Sequence, residues 1–142
     1  RYATEALKAA GDPNRYPKHL DEGLKLHTPQ RLFYVVIPRS RIETLAKAIP
    51  QEEHPEGEEI NPEDIGTPDE GVTVEMDVSP LYETKRRAIA CHRTQQQPDG
   101  FFHRLPEELV REFFSREHFS QALPPLPAGT PYADLFEGLK SG

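Results

Sequence analysis

The sequence predicts an α/β fold, and three observations carry that reading. Residues 31–38, RLFYVVIP, hold six consecutive large apolar or aromatic side chains, Leu32 to Ile37, as a strand would. Residues 72–78, VTVEMDV, alternate Val72, Val74, Met76 and Val78 against Thr73, Glu75 and Asp77, the period of a half-buried strand with one wet face at a sheet edge. Around these strands lie segments whose apolar residues recur three and four positions apart, as on amphipathic helices. The first strand lacks alternation, which points to burial on both faces, as in a parallel sheet covered by helices. One such strand cannot form that sheet alone, so its partners are expected from elsewhere.

In chain order, residues 1–10 predict a helix with Ala3, Ala6, Leu7 and Ala10 on one stripe, stopped by Gly11 and Pro13. No capping residue stands in front of it, and the expectation is that further chain precedes Arg1. Residues 12–30 form a long connection. Its His19 and His27 have no metal-ligand spacing on a regular element and read as surface residues. Residues 40–49 predict a second helix. Ser40 and Glu43 have capping-box spacing, Ile42, Leu45, Ala46 and Ile49 make its apolar side, and Pro50 ends it. The segment 51–70 is strongly acidic: from 48 to 84 there are twelve Asp or Glu and no Lys or Arg. It reads as a solvated loop, or as a lid or rim whose ordered part is 67–70; the spacing of a calcium loop is not met.

Residues 80–97 predict the helix around which the chain is organised. Ser79 is its expected cap, and Pro80 sits where a missing N–H costs nothing. Lys85, Ala88, His92 and Gln95 fall on one helical face, with Leu81, Tyr82, Ile89 and Cys91 on another. The polar stripe is either a solvent face or the wall of a polar pocket. In the C-terminal segment, 101–142, Pro106 starts a helix with Leu109, Val110, Phe113 and Phe114 towards the core. The stretch 122–131 is Pro-rich and extended, and Thr130-Pro131 starts a further turn leading into 132–139. Glu117 and His118 are adjacent and so point apart, which makes them poor partners for each other.

The balance is acidic, with 24 Asp and Glu against 17 Lys and Arg and a net charge of −7, so nucleic-acid binding through a basic face is not expected. No apolar run approaches the roughly 20 residues of a membrane span. The single cysteine, Cys91, allows neither an intrachain disulfide nor a thiolate metal cluster and suits a reducing cytoplasm. Cys91 and His92 diverge on a helix and make no nucleophile–base pair. Nothing in these residues assembles a nucleophile, a base and a metal, so independent catalysis by this stretch is not expected.

Residues 85–95, KRRAIACHRTQ, resemble the K-x-x-A-x-x-x-H-x-[ST]-Q helix of the LmbE/PIG-L family of N-acetylglucosamine-type deacetylases, with Asp77-Val78-Ser79 in front of it as in that family. Other pieces match in collinear order: the helix and AGDP loop at 1–13, the strand RLFYVVIPRS at 31–40, GTPDE at 66–70, the F-x-R-L-P-E-E-L segment at 102–109, REHF at 116–119 and DLFEGL at 134–139. The resemblance implies the C-terminal portion of a single Rossmann-like, three-layer α/β/α domain, with late strands, covering helices and a Pro-rich tail. It implies a small sugar or glycoconjugate substrate and a zinc cofactor for the intact protein. Zinc would lower the pKa of bound water towards about 7, and a carboxylate beside the metal would take the proton.

The family's A-H-P-D-D-E and H-P-D-H zinc motifs do not occur here, and the only His-Pro pair, His54-Pro55, lies in the acidic segment without their Asp residues. No zinc ligand and no catalytic residue is therefore carried onto this chain, which is expected to be inactive without an N-terminal half. What the resemblance implies is that Lys85, His92 and Gln95 are candidates for a pocket wall or for substrate binding, with a buried structural network as the alternative. Two alternatives stand beside it: an amidase of a thiol–sugar conjugate, and a non-catalytic binding domain that keeps the later half of the fold.

Overall fold

The computed structural model describes residues 2–48, 61–95, 100–127 and 129–139. The elements run α1 (Tyr2–Ala10), α2 (Pro17–Asp21), β1 (Leu32–Val36), α3 (Arg39–Ala48), α4 (Pro62–Ile65), β2 (Val74–Asp77), α5 (Tyr82–Ala90), α6 (Glu107–Phe114) and β3 (Arg116–Leu123). Helices and strands are mixed, as the α/β reading expects. Ile49, Pro50 and most of the acidic segment, 51–60, lie outside the described residues, as do Gln96 and Gln97.

The three strands form one sheet in the order β1-β3-β2, and both pairings are antiparallel. This corrects the expectation of a parallel sheet for β1. The strand lies at an edge, and Tyr34, Val35 and Ile37 are 44%, 70% and 42% exposed, so it is not covered on both faces. The unexpected central element is β3. Its sequence, REHFSQAL, carries five polar side chains and no sustained alternation, and its polar groups are matched only once its neighbours are in register. Glu75 pairs opposite His118, and Arg116 sits diagonally from Glu75 on the same face, so one carboxylate serves both.

The second strand behaves as expected at its polar end: Glu75 and Asp77 are exposed and Val74 is 1% exposed, with the strand at the other sheet edge. Thr73, assigned to the wet face, is instead buried. Its hydroxyl donates to the Phe119 carbonyl at 3.2 Å and accepts from the Gln121 N–H at 2.9 Å. The outer side of this edge is covered by the tail, where Tyr132 donates to the Thr73 carbonyl at 2.7 Å. The tail makes this bridge and a series of turns at 135–138.

Buried Ile42 and Leu45 confirm the apolar side of α3, and Leu45 packs with Leu105, Ala48, Val110 and Phe113. The cap of α3 differs from the expected box. The Ser40 N–H donates to Asp69 Oδ1 at 3.2 Å, which brings the segment 61–71 against the start of the helix. Hydrogen bonding to Ser40 holds the Asp69 carboxyl below its ordinary value, against the small opposing effect of burial. Within the acidic segment, Asn61 caps α4 through a bond from the Glu63 N–H, and Thr67 pairs with Pro38 in a parallel bridge. The described part of this segment is thus a brace on α3 and the end of β1.

The organising helix is shorter than predicted. A single 3-10 turn, Ser79–Leu81, leads into α5, which ends at Ala90. Ser79 does not cap it; Asp77 Oδ1 accepts from the Ser79 N–H at 2.9 Å. Beyond Ala90 the chain turns, with Gln95 N–H donating to the His92 carbonyl at 2.9 Å, so the four-residue polar stripe is broken after Ala88.

Candidate functional site

A pocket of ≈ 240 Å³ lies where β1 ends and β3 begins. Val35, Val36 and Ile37 line it from β1 and its exit, and Arg116, Glu117 and His118 line it from β3. Arg41 enters from α3, Lys85 from α5, and Phe113 and Phe114 from α6. The ring pair is fixed by edge-on contact between Phe113 and Phe114, with centroids 5.5 Å apart, and by Phe102 against both. The apolar side of the pocket is therefore preformed.

Its polar side is an ordered set of charges. Lys85 forms an ion pair with Glu117, donates to the Phe114 carbonyl at 3.1 Å and sits 5.2 Å from the centre of the Phe114 ring. Arg116 donates to Glu75 Oε1 at 2.7 Å, while Glu75 Oε2 lies 3.3 Å from His118 Nε2. Arg41 donates to the Glu112 carbonyl at 3.0 Å. The His118 side chain is buried, and its pKa is lowered from the ordinary value. Burial is the main cause and the nearby Arg41 charge adds to it; Glu75 and Glu117 pull the other way and are outweighed.

That shift has a consequence for stability. The unfolded chain binds a proton at this imidazole more readily than the folded one does. The contribution of His118 is then fully present above the unfolded value of about 6.5 and is lost as pH falls through the lower folded value. Urea unfolding between pH 7.5 and 5 should show stability falling below about pH 6.5, and a smaller fall in His118→Gln. Equal slopes for the two proteins would remove His118 from the account.

Of the residues singled out in the sequence, the structure brings Lys85 to this pocket. His92 and Gln95 lie past the end of α5, are exposed and are not among the lining residues. The residues that sequence reasoning did not single out are Arg41, Arg116 and the Glu75–His118 pair. For Arg116 and the Glu75–His118 pair the signal is cross-strand charge complementarity, visible only with the register of β2 on β3. Arg41 reaches the pocket from α3, which only the packing of that helix decides. His19 stacks on Tyr16 and, like His27, is exposed, in keeping with the surface reading of both.

The described residues do not fit a zinc ion. Among them no three His, Cys, Asp or Glu side chains converge in a way that could hold a metal. The pair Glu75 and His118 is bordered by the Arg116 and Arg41 guanidiniums, whose charges oppose a cation.

The chain is 38% identical over 74 residues to a 1D-myo-inositol 2-acetamido-2-deoxy-alpha-D-glucopyranoside deacetylase of Gordonia bronchialis, covering 51% of this chain and 26% of that protein. To the deacetylase of the same name from Thermobifida fusca it is 30% identical over 112 residues, 75% of this chain and 39% of the relative. To a mycothiol S-conjugate amidase of Streptomyces coelicolor it is 28% identical over 69 residues, 49% of this chain and 24% of the relative. The chain thus spans between about a quarter and two fifths of the length of these curated relatives. No family model matches the chain, and no solved structure matches it significantly. Among the described residues no helix is long and apolar enough to cross a membrane.

Proposed function

We propose that this chain contributes the later part of a zinc-dependent deacetylase of the LmbE/PIG-L type, hydrolysing the N-acetyl group of an N-acetylglucosamine-type sugar or glycoconjugate. The observation that carries this reading is the similarity to the Thermobifida fusca deacetylase over 75% of the chain. The metal-binding residues belong, in this reading, to parts of the protein other than the described residues. Among the described residues no strand pairs with the outer edge of β1, which supports it as well. An edge strand with Val35 70% exposed and no charge or proline within Leu32–Val36 has the composition of an interior strand, as a larger Rossmann-like sheet would make it. The lone, free Cys91 suits a cytoplasmic protein.

The pocket suits a sugar on physical grounds. Sugar hydroxyls both donate and accept, and the Lys85–Glu117 pair presents donors and acceptors side by side. Phe113 and Phe114 offer an apolar surface to the C–H face of a ring.

The test is an assay of the complete protein encoded by the reading frame that contains this chain. Acetate release from 1D-myo-inositol 2-acetamido-2-deoxy-α-D-glucopyranoside is measured beside hydrolysis of a mycothiol S-conjugate. Acetate release is expected to dominate. Preferential cleavage of the conjugate would assign the amidase activity instead, and turnover of neither would overturn the reading.

A further inference from the structure

We propose that Arg41 is the recognition residue of a site for a small oxyanion, a carboxylate or phosphate group, seated in the pocket at the end of the sheet. The guanidinium carries five N–H donors in a planar fork. One contact, from Nη2, goes to the Glu112 carbonyl, and the guanidinium carbon lies 5.3 Å from the centre of the Phe113 ring, so most of the fork remains unused. Every other formal charge lining the pocket is already matched: Lys85 by Glu117, and Arg116 by Glu75. Among the described residues no carboxylate lies within ion-pair distance of Arg41, in contrast to these two cations. Arg41 and Phe113 also border a neighbouring cavity of ≈ 50 Å³, which Glu112 lines with Thr44, Leu45 and Leu109; Glu112 is not among the residues lining the larger pocket. Burial lowers the Arg41 pKa more than Glu112 and Glu75 raise it, and Arg116 lowers it further.

A partly buried cation without a close counter-charge is unfavourable until an anion supplies one. Arginine's fork fits a carboxylate or phosphate with two parallel hydrogen bonds, and the apolar neighbours Val36, Phe113 and Phe114 strengthen them by lowering the local polarity. His118, kept uncharged near neutral pH chiefly by burial, is placed beside the site and adds no second cation there.

The experiment uses the complete protein and two probes, acetate and inorganic phosphate, titrated separately while the Arg41 Nε–Hε resonance is followed by NMR. At least one probe should shift that resonance in a saturable way. Arg41→Gln should bind that probe at least about tenfold more weakly, by isothermal titration, as expected for loss of a charge-assisted hydrogen bond. Arg41→Lys, which keeps the charge and loses the fork, should fall between the two. Saturation by acetate alone assigns the site to carboxylates, and by phosphate alone to phosphates. No saturable shift with either, or wild-type affinity in Arg41→Gln, overturns the proposal. Should Arg41→Gln fail to fold by circular dichroism, wild-type affinity in Arg41→Lys overturns the bidentate site. Binding is read without turnover, so its outcome is independent of the acetate-release assay.

Discussion

Gly66→Ala is expected to destabilise the protein by roughly 2–3 kcal/mol, as overpacking against fixed atoms does. The backbone of Gly66 is ordinary, with φ −87° and ψ 141°, so conformational freedom is not what this position needs. Space is. A Cβ there would stand 2.7 Å from the Pro62 carbonyl oxygen and 2.8 Å from the Arg39 Cα. Both are backbone atoms, one in α4 and one at the start of α3, and neither can rotate away as a side-chain end could. Relief requires the brace to lift from α3, which would lengthen the hydrogen bond from Ser40 to Asp69 and the paired bonds between Thr67 and residues 37–39. Urea unfolding of wild type and variant measures the loss. Gly71→Ala serves as the control, since its Cβ would meet only the Thr67 methyl, at 3.2 Å. Equal stability of Gly66→Ala and wild type would show that the brace is not held closely.

Thr73→Val should cost about 1–3 kcal/mol, although valine has nearly the same shape and is the better apolar residue. The buried Thr73 hydroxyl accepts from the buried Gln121 N–H and donates to the Phe119 carbonyl, across the junction of β2 with β3. Valine leaves the amide without a partner in a place water does not reach, and a lost partner costs more than a hydrogen bond contributes. Thr73→Ser keeps the hydroxyl and gives up a methyl, so serine should be the better tolerated of the two in chemical denaturation. If valine proves better tolerated than serine, packing governs the site and the hydroxyl contributes little.

Much of the fold was legible from local chemistry. The strands at Leu32–Val36 and Val74–Asp77, and the helices at Tyr2–Ala10, Arg39–Ala48 and Glu107–Phe114, follow from periodicity, propensity and stop signals. These features act within a few residues of one another, so a single sequence contains them. The helix at Tyr82–Ala90 was placed correctly but drawn too long. Lys85, Ala88, His92 and Gln95 keep helical spacing, and spacing alone does not say where the helix stops.

What the sequence by itself determined is the α/β class, the position of most elements, the acidic charge and the lack of any apolar stretch long enough to span a membrane. Only the tertiary structure decided the direction of strand pairing, the central place of Arg116–Leu123 and the composition of the pocket. The physical reason is that these depend on partners distant in sequence. A strand such as REHFSQAL becomes stable when Glu75 lies opposite His118, Lys85 reaches Glu117 and Thr73 meets Gln121. Each polar group there is a cost until its partner arrives, and the partner comes from another element.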